Sequence, residues 1–258
     1  MFSKFSNTEL VYVKKFTENY EDSEIIRFYD NNLPGMYMHN FTLIKNSVSK
    51  EKFRKIILAE LEKRKKEKAG FLRIEFNFSI TDDFINDLPA IAEVSKYDYM
   101  HIDPKISYSL TGKEGCVIKK ALSDNVLKEG IEVDILANQS AMGADFAEKR
   151  IRRKAEVYKQ ADSNLNFYVC YYDGKAVGNC EFMVSDGIGK IEDFDILEKY
   201  QRKGFGTTLI KHLLEEGKEE GVHLVYLMTD GGDTAKEMYI KCGFKKLGEK
   251  TELFFDLS

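Results

Sequence analysis

The sequence Tyr200-Gln201-Arg202-Lys203-Gly204-Phe205-Gly206 lies between a predicted strand and a predicted helix. The apolar and acidic run from Ile188 to Leu197 predicts the strand, and apolar residues at three- and four-residue spacing from Leu209 to Leu214 predict the helix. The first N–H groups of a helix lack partners within it, and the helix dipole adds partial positive charge there. Two glycines, which have no Cβ, let an anion approach the backbone closely. The stretch therefore predicts a phosphate-binding turn.

Three known phosphate-binding loops compete for this turn. The P-loop pattern G-x-x-x-x-G-K-[ST] is absent, and the dinucleotide pattern G-x-G-x-x-G fails because Leu209 stands where the third glycine belongs. The run Gln201-Arg202-Lys203-Gly204-Phe205-Gly206 resembles the third pattern, Q/R-x-x-G-x-G/A, at every specified position. That pattern is the pyrophosphate loop of the GCN5-related N-acetyltransferase (GNAT) superfamily. An ordinary strand-to-helix turn remains the alternative for a six-residue pattern.

A second pattern downstream strengthens this resemblance. The run from His223 to Thr229 predicts a buried strand, and the run from Ala235 to Lys241 predicts a short helix that Gly243 would cap in a left-handed conformation. The spacing Ala235-x-x-x-Tyr239-x-x-x-Gly243-Phe244 resembles the second signature of the family, with a tyrosine one turn before a Gly-Phe ending. Two signatures in the expected order favour an acetyltransferase. The resemblance is good over the last part of the chain and extends loosely back to Cys116.

The predicted fold class is α/β (α+β), with a mixed, mostly antiparallel central sheet flanked by helices. Residues 113–258 are expected to form the GNAT domain that the resemblance implies, with Asp173-Gly174 as a two-residue hairpin turn within it. Residues 1–112 are expected to form a second α/β domain, because predicted strands and helices alternate there. This alternation suggests a degenerate GNAT-like half, and an unrelated α+β domain is the alternative.

The sequence also predicts individual strands and helices in both of these domains. The run Leu10–Phe16 alternates enough to predict a strand, and Lys50–Lys68 predicts a long amphipathic helix. After a strand from Cys116 to Ala121, a charged helix is predicted over Ala141–Gln160. The last segment, Lys246–Leu257, predicts a pair of strands with a turn near Lys250.

The resemblance implies acetyl-CoA as co-substrate and no metal. In the family, backbone groups of the strand before the phosphate loop meet the pantetheine and the thioester, which places Ile196 and Leu197 there. The expected cofactor-binding residues are therefore Ile196, Leu197, Gln201, Arg202, Lys203, Gly204, Phe205, Gly206 and Thr207. One departure is Gly232, where family members often carry an asparagine that touches the coenzyme, and Asp233 is expected to cap the following helix instead.

Acetyl transfer to an amine requires a neutral amine, a donor for the thioester oxygen and a proton for the leaving thiolate. Tyr239 matches the family tyrosine near the coenzyme sulfur, so it is the candidate acid, with a core aromatic role as the alternative. Glu192 is the candidate base, acting through water. Counted by twos it shares a strand face with Phe194 and Ile196, whereas Asp193 and Asp195 point to the other face. These acidic residues would alternatively bind a cationic substrate.

The composition of the chain argues against nucleic-acid binding, membrane insertion and secretion. The chain has 258 residues, 43% of them hydrophobic, and a net charge of -4, which argues against a general nucleic-acid binder. No apolar run approaches the roughly 18 residues of a membrane span, and the N-terminus lacks the apolar core of a signal peptide. We therefore expect a cytoplasmic protein with no nucleic-acid or membrane partner, acting on a small-molecule or peptide amine, with a homodimer as one possible assembly.

The chain has four cysteines, which are Cys116, Cys170, Cys180 and Cys242. They form no C-x-x-C pair, so no zinc framework is expected. Cys170 and Cys180 flank the predicted hairpin and would face each other as reduced core residues.

The alternative to an enzyme is a non-catalytic acyl-CoA-binding or interaction protein with the same fold. A nucleotide-binding protein is a third possibility.

Overall fold

The computed structural model describes residues 2–160, 162–231 and 235–258, with side chains from residue 4 onward. The contacts divide the chain into two units, one of Met1–Phe16 with Tyr99–Leu247 and the other of Thr17–Asp98 with Gly248–Ser258. This division differs from the predicted boundary between residues 112 and 113. The reason is visible at the start of the chain, where the buried ring of Phe5 stacks on Tyr226 with 4.4 Å between ring centroids.

The elements follow one another in chain order. In the first part they are α1 (Phe2–Val13), β1 (Glu18–Glu21), β2 (Ile25–Tyr29), β3 (Thr42–Ile44), α2 (Lys50–Lys66), β4 (Phe71–Phe76), α3 (Asp82–Asn86) and β5 (Glu93–Ile102). In the second part they are β6 (Cys116–Lys120), α4 (Asp124–Met142), α5 (Ala144–Tyr158), β7 (Leu165–Tyr172), β8 (Lys175–Ser185), β9 (Ile188–Ile196), α6 (Phe205–Glu219), β10 (Leu224–Asp230), α7 (Ala235–Lys241) and β11 (Lys245–Asp256). Short 3-10 helices cover Tyr37–His39, Pro104–Ser109 and Glu198–Tyr200.

The first unit is a sheet with helices on both faces. Its strand order is β5-β10-β9-β8-β7-β6, with antiparallel pairing from β6 to β9 and parallel pairing of β9 with β10. Successive side chains of a strand point to opposite faces. Along β7, Phe167 and Val169 pack with residues of α4 and α5, whereas Tyr168 packs with α6. Tyr12 of α1 packs with Val157 of α5. One face thus carries α1, α4 and α5, and the other carries α6 and α7.

The second unit has the strand order β1-β2-β3-β4-β11. β3 and β4 run parallel and are joined through α2, while the other pairs are antiparallel. Phe53 and Ile57 of α2 pack on Ile74, Phe76 and Leu253 of the sheet. This burial holds α2 against its own unit. The predicted α/β fold class is confirmed.

Some element predictions were right and some were wrong. The helix predicted over Lys50–Lys68 is confirmed as α2. The strand predicted over Leu10–Phe16 is wrong, because this run includes the end of α1. The predicted strand pair over Lys246–Leu257 is also wrong, because β11 is one strand that pairs with β4 continuously from Thr251 to Asp256.

Helix α4 was missed by the sequence prediction, which started the helical region at Ala141. The helix begins at Asp124, where the side chain of Ser123 accepts a hydrogen bond from the N–H of Val126. Gly143, with a φ of 81°, ends α4 and starts α5. The serine cap and the buried residues Leu127 and Ile131 were the available signals.

Candidate active site

Strands β9 and β10 lie side by side only at their beginnings. Their described pairing runs from Leu224 opposite Ile188 to Tyr226 opposite Lys190, although β9 continues to Ile196 and β10 to Asp230. Residues 192–197 are half-buried rather than fully enclosed. The two parallel strands thus part beyond Lys190, and β9 leads from this gap into the phosphate-binding turn.

The turn lies between β9 and α6, and a glycine in a left-handed conformation precedes the helix. Gly204 adopts a left-handed conformation with a φ of 89°, and no side chain caps α6 at this residue. The N–H groups of the first turn of α6 therefore remain available to an anion. Gln201 donates from Nε2 to the carbonyl of Ile196 at 2.9 Å, and Lys203 donates from Nζ to the carbonyl of Lys199 at 2.6 Å. Both side chains brace the turn.

The two glycines of the turn have different roles. A Cβ on Gly204 would lie 3.4 Å from the backbone nitrogen of Lys113, so the main constraint at this position is its positive φ. A Cβ on Gly206 would lie 2.6 Å from the sulfur of Met238. A side chain at Gly206 would therefore require the flexible Met238 side chain of α7 to shift, in addition to crowding the predicted anion site.

The aromatic residue of the turn belongs to the core. Phe205 is 2% exposed, and its ring packs edge-on against Tyr172 and Tyr200 at 5.1 and 5.5 Å between centroids. Only its backbone is placed to contact a ligand. Thr207, two residues further along α6, is half-buried, and its hydroxyl oxygen lies 3.9 Å from the sulfur of Cys242.

A loop that the sequence prediction missed packs on the turn. The backbone N–H of Lys113 donates to the hydroxyl of Thr208 at 2.6 Å, and that hydroxyl donates to the carbonyl of Gly204 at 3.0 Å. A Cβ on Gly112 would lie 2.3 Å from the Thr208 hydroxyl, so only a glycine fits there. The sequence predicted a domain boundary between residues 112 and 113, and the contacts of this loop with α6 are not visible in the sequence.

The candidate acid lies beside the gap between the strands. Tyr239 of α7 is 7% exposed, and its ring packs edge-on against Phe194 of β9 at 6.2 Å and lies 5.8 Å from the ring of Phe244. Phe194 belongs to the part of β9 beyond its pairing with β10. The structure thus brings Tyr239 to the strand that leads into the phosphate-binding turn.

The candidate base lies on the opposite face from the one predicted. Asp193 has a φ of 44°, and the register between β8 and β9 shifts at this level, which marks a bulge. The extra residue puts Glu192 on the same face as Asp193 and Asp195, toward α1, α4 and α5. Phe194 and Ile196 pack instead with the α6 core. The predicted sharing of a face by Glu192, Phe194 and Ile196 is therefore wrong.

Glu192 belongs to a buried ion-pair group that the sequence prediction did not include. Its carboxylate contacts the ammonium of Lys190, which is 1% exposed. Lys190 also pairs with Glu9 of α1 at 2.7 Å, and the hydroxyl of Tyr226 donates to the same oxygen of Glu9 at 2.6 Å. These contacts fix the position of the Glu192 side chain.

A second charged group lies next to it. Lys154 of α5 donates to Glu181 at 2.8 Å, to Asp193 at 2.5 Å and to the hydroxyl of Tyr12 at 2.8 Å. Arg150 donates to Asp193 at 2.6 Å and to both carboxylate oxygens of Asp134 at 2.7 Å. These charged residues are mutually paired, and they connect the bulge of β9 to α4 and α5.

The carboxylates near the bulge titrate differently from one another. Burial raises the pKa of Asp134 to about 7 and that of Asp195 to about 6. The pKa of Asp193 is held well below its usual value, because its attraction to Arg150 and Lys154 outweighs the cost of burial. The interface between this face of β9 and α4 therefore combines the negative charge of Asp193 with two carboxyl groups that titrate near neutral pH.

The structure also bears on the remaining predictions, which concern metal sites, membrane spans and cysteine contacts. Gly232 and Asp233 lie outside the described residues. In the described ranges, no group of three or more His, Cys, Asp or Glu side chains is arranged to hold a metal ion. None of the described helices combines the length and apolar character needed to cross a membrane. The sulfur of Cys170 lies 3.0 Å from that of Cys116 rather than facing Cys180.

Comparisons with known proteins agree with this architecture. Residues 137–244 match the acetyltransferase (GNAT) family. The chain is 24% identical to the uncharacterized N-acetyltransferase CgeE of Bacillus subtilis strain 168, over 95% of each chain. A functionally unknown conserved protein from Staphylococcus epidermidis has the same fold, with a TM-score of 0.78 and 22% identity over 93% of this chain and 94% of that one.

A GCN5-related N-acetyltransferase from Kribbella flavida also shares the fold, with a TM-score of 0.67 and 14% identity over 99% of this chain and 95% of the other. The fold likeness therefore extends over nearly the whole chain. Residues 137–244 are a GNAT acetyltransferase domain, and the predicted family resemblance is confirmed.

Proposed function

We propose that this protein transfers the acetyl group of acetyl-CoA to a primary amine of a small molecule or peptide. The observation that carries the proposal is the phosphate-binding turn at the end of β9, next to the gap where β9 and β10 part. A turn with free N–H groups suits the pyrophosphate, and a gap between strands suits an extended pantetheine chain. The match to the GNAT family supports both assignments.

The proposed donor site uses mainly backbone groups. The first-turn N–H groups of α6 and the left-handed Gly204 would hold the pyrophosphate, with the charges of Arg202 and Lys203 beside it. Ile196 and Leu197, at the end of the part of β9 that is not paired with β10, would meet the pantetheine and thioester through their backbone. Acetyl-CoA supplies the activated acyl group, and the chain supplies position, orientation and proton transfer.

Tyr239 is proposed to give a proton to the leaving thiolate. Its ring packs on Phe194, in the part of β9 that borders the gap, which supports this role. A positioned hydroxyl stabilises the thiolate as negative charge develops on the sulfur. The packing of Tyr239 with Phe244 keeps the ring in one orientation.

Glu192 is proposed to take the proton that the amine loses. Its position on the α1, α4 and α5 face means that it would approach the reacting amine from the side opposite Tyr239. Lys190 orients its carboxylate. The neighbouring carboxylate of Asp195, which accepts a hydrogen bond from the neutral amide of Asn138, would also attract a protonated amine, which supports an amine as the acceptor.

The remaining assignments concern the rest of the chain. We propose that the unit built from Thr17–Asp98 and Gly248–Ser258 is a degenerate GNAT-like half, because a helix connects its two parallel strands β3 and β4. We place the activity in the cytoplasm, where thiols stay reduced. Light scattering, which measures the molar mass of the protein in solution, would test whether it forms a homodimer.

The test is the release of coenzyme A thiol from acetyl-CoA in the presence of a panel of primary amines. We expect amine-dependent release by the wild-type protein and a turnover lower by roughly 10²-fold in Tyr239→Phe, the scale for losing a positioned general acid. Coenzyme A affinity, measured by calorimetry, should stay near the wild-type value. Tyr108→Phe is the matched control, because Tyr108 is 83% exposed.

Two results would oppose the proposal in different ways. Tight coenzyme A binding without turnover on any amine would favour the alternative, a non-catalytic acyl-CoA-binding protein. An equal rate for Tyr239→Phe and the wild type, with chemistry shown to limit the rate, would remove Tyr239 from the mechanism while leaving the reaction in place.

A further inference from the structure

Two thiols meet beneath the phosphate-binding turn. Cys116 begins β6 and Cys170 lies near the end of β7, and the register pairs Cys116 with Tyr172 and Ile118 with Cys170. The two cysteines are therefore diagonal neighbours on the same face of the sheet. Their sulfur atoms are 3.0 Å apart. A disulfide bond has a sulfur–sulfur distance of about 2.05 Å, so the sulfurs would need to approach each other by about 1 Å.

The two thiols differ in access and in acidity. Cys116 is half-buried, so an oxidant can reach it from solvent, whereas Cys170 is completely buried. The hydrogen bond from Cys170 lowers the pKa of the Cys116 thiol, and its effect outweighs the opposing effect of burial. The contact with Cys116 and burial raise the pKa of Cys170. Cys116 is thus suited to react first and Cys170 to resolve the product, since the thiolate is the reactive form.

The thiol pair contacts the residues that shape the turn. Cys170 packs in the same buried cluster as Phe205, the first residue of α6, and Cys116 packs against that cluster. Thr208, in the first turn of the same helix, donates to the carbonyl of Gly204. A change in the positions of the two cysteines would therefore reach the first turn of α6 through the packing of Phe205.

We propose that Cys116 and Cys170 are an oxidation site, where a disulfide bond forms beneath the phosphate-binding turn and weakens the binding of coenzyme A. The effect on coenzyme A rests on the proposed function, whereas the formation of the disulfide does not. A peroxide is the oxidant. The thiolate of Cys116 attacks one oxygen of hydrogen peroxide, the O–O bond breaks, and the products are a sulfenic acid and hydroxide, which takes up the proton that the thiol released and becomes water. The thiol of Cys170 then attacks that sulfur, and the sulfenic oxygen leaves as a second water.

Disulfide formation would change the turn in two ways. It draws the two sulfurs together by about 1 Å, which moves side chains that pack on Phe205. Phe205 follows Gly204 directly, so its movement also shifts the first N–H groups of α6. We expect coenzyme A to bind about fivefold more weakly, the scale of one lost neutral hydrogen bond.

The first measurement is chemical and needs no coenzyme. The full chain is treated with hydrogen peroxide, and intact mass and peptide mapping follow the four cysteines. We expect a mass lower by two hydrogen atoms, a peptide linking Cys116 to Cys170, and complete reversal by dithiothreitol. Cys116→Ser should show none of these changes. If Cys116 and Cys170 both stay open to alkylation under denaturing conditions after peroxide treatment, or if Cys116 links two chains instead, the proposal is overturned.

The second measurement compares coenzyme A affinity of the reduced, oxidised and re-reduced protein by calorimetry. The expected result is a roughly fivefold higher Kd after oxidation, restored by dithiothreitol. An unchanged Kd in a fully disulfide-linked sample would refute the effect on the turn. Failure of the reduced wild type to bind coenzyme A would instead reject the proposed function and this effect with it, and the mass measurement would still decide the disulfide. All of these readouts use the wild-type chain, so they stand even if Cys116→Ser folds poorly.

Discussion

Replacing Lys154 with methionine tests whether the buried charges around the β9 bulge stabilise the fold. The side chain of Lys154 is 2% exposed, and that of its partner Glu181 is completely buried. Methionine fills a similar volume but leaves the carboxylates of Glu181 and Asp193 without this cation. Removing one member of a buried ion pair typically costs about 3–5 kcal/mol.

The lower end of that range applies here. Glu181 keeps the hydrogen bond from Tyr12 at 2.5 Å and another from the hydroxyl of Tyr158, and Asp193 keeps Arg150. We therefore expect a loss of about 3 kcal/mol in the free energy of unfolding. For a chain of this size that loss lowers the melting temperature by roughly 6–12 °C.

Calorimetry or circular dichroism would measure the shift, with Lys149→Met as the matched control on the same helix. Lys149 is 61% exposed in its pair with Asp145, so its loss should cost less than about 0.5 kcal/mol. The double variant Lys154→Met with Glu181→Gln should recover part of the loss, because it removes the uncompensated charge. If Lys154→Met melts as the Lys149→Met control does, the network adds no net stability and this reasoning fails.

Three further predictions concern the turn and the titrating carboxylates. Gly204→Val should raise the Kd for coenzyme A about tenfold or more in calorimetry, since valine is strained at a φ of 89°. Lys203→Ala should raise that Kd by less than about tenfold, and by less still at high salt, because an exposed charge is screened. The pKa of Asp134, raised to about 7, gives stability that is present at acidic pH and lost as pH rises through 7. Asp134→Asn should therefore shrink the difference in melting temperature between about pH 4 and 7 relative to Asp145→Asn, a surface control.

The sequence predicted best where a pattern is local. The turn around Gly204, the short helix carrying Tyr239 and the hairpin at Asp173-Gly174 all depend on residues close together in the chain. Their glycines and apolar spacing dictate the conformation directly. These segments were placed correctly for that reason.

The sequence did not predict contacts between segments that are distant in the chain. The sequence shows no sign that Glu9 of α1 meets Lys190, or that Lys113 bonds to Thr208. The start of the chain was assigned to the N-terminal half, since adjacency in sequence was the available guide. Burial of Phe5 against Tyr226 decides otherwise.

The position of Glu192 shows how one backbone residue changes a functional interpretation. Counting by twos along β9 assumes an uninterrupted strand, and the bulge at Asp193 adds one residue to that count. Its physical cause is a set of partners on α5, because Arg150 and Lys154 both bind the Asp193 carboxylate. Those cations draw Asp193 toward the same face as Glu192. A bulge at that level also bends the strand, which accords with its parting from β10 just beyond Lys190. The buried charges and the gap between the strands therefore have a common structural origin, so a variant that removes the Asp193 contacts should affect both.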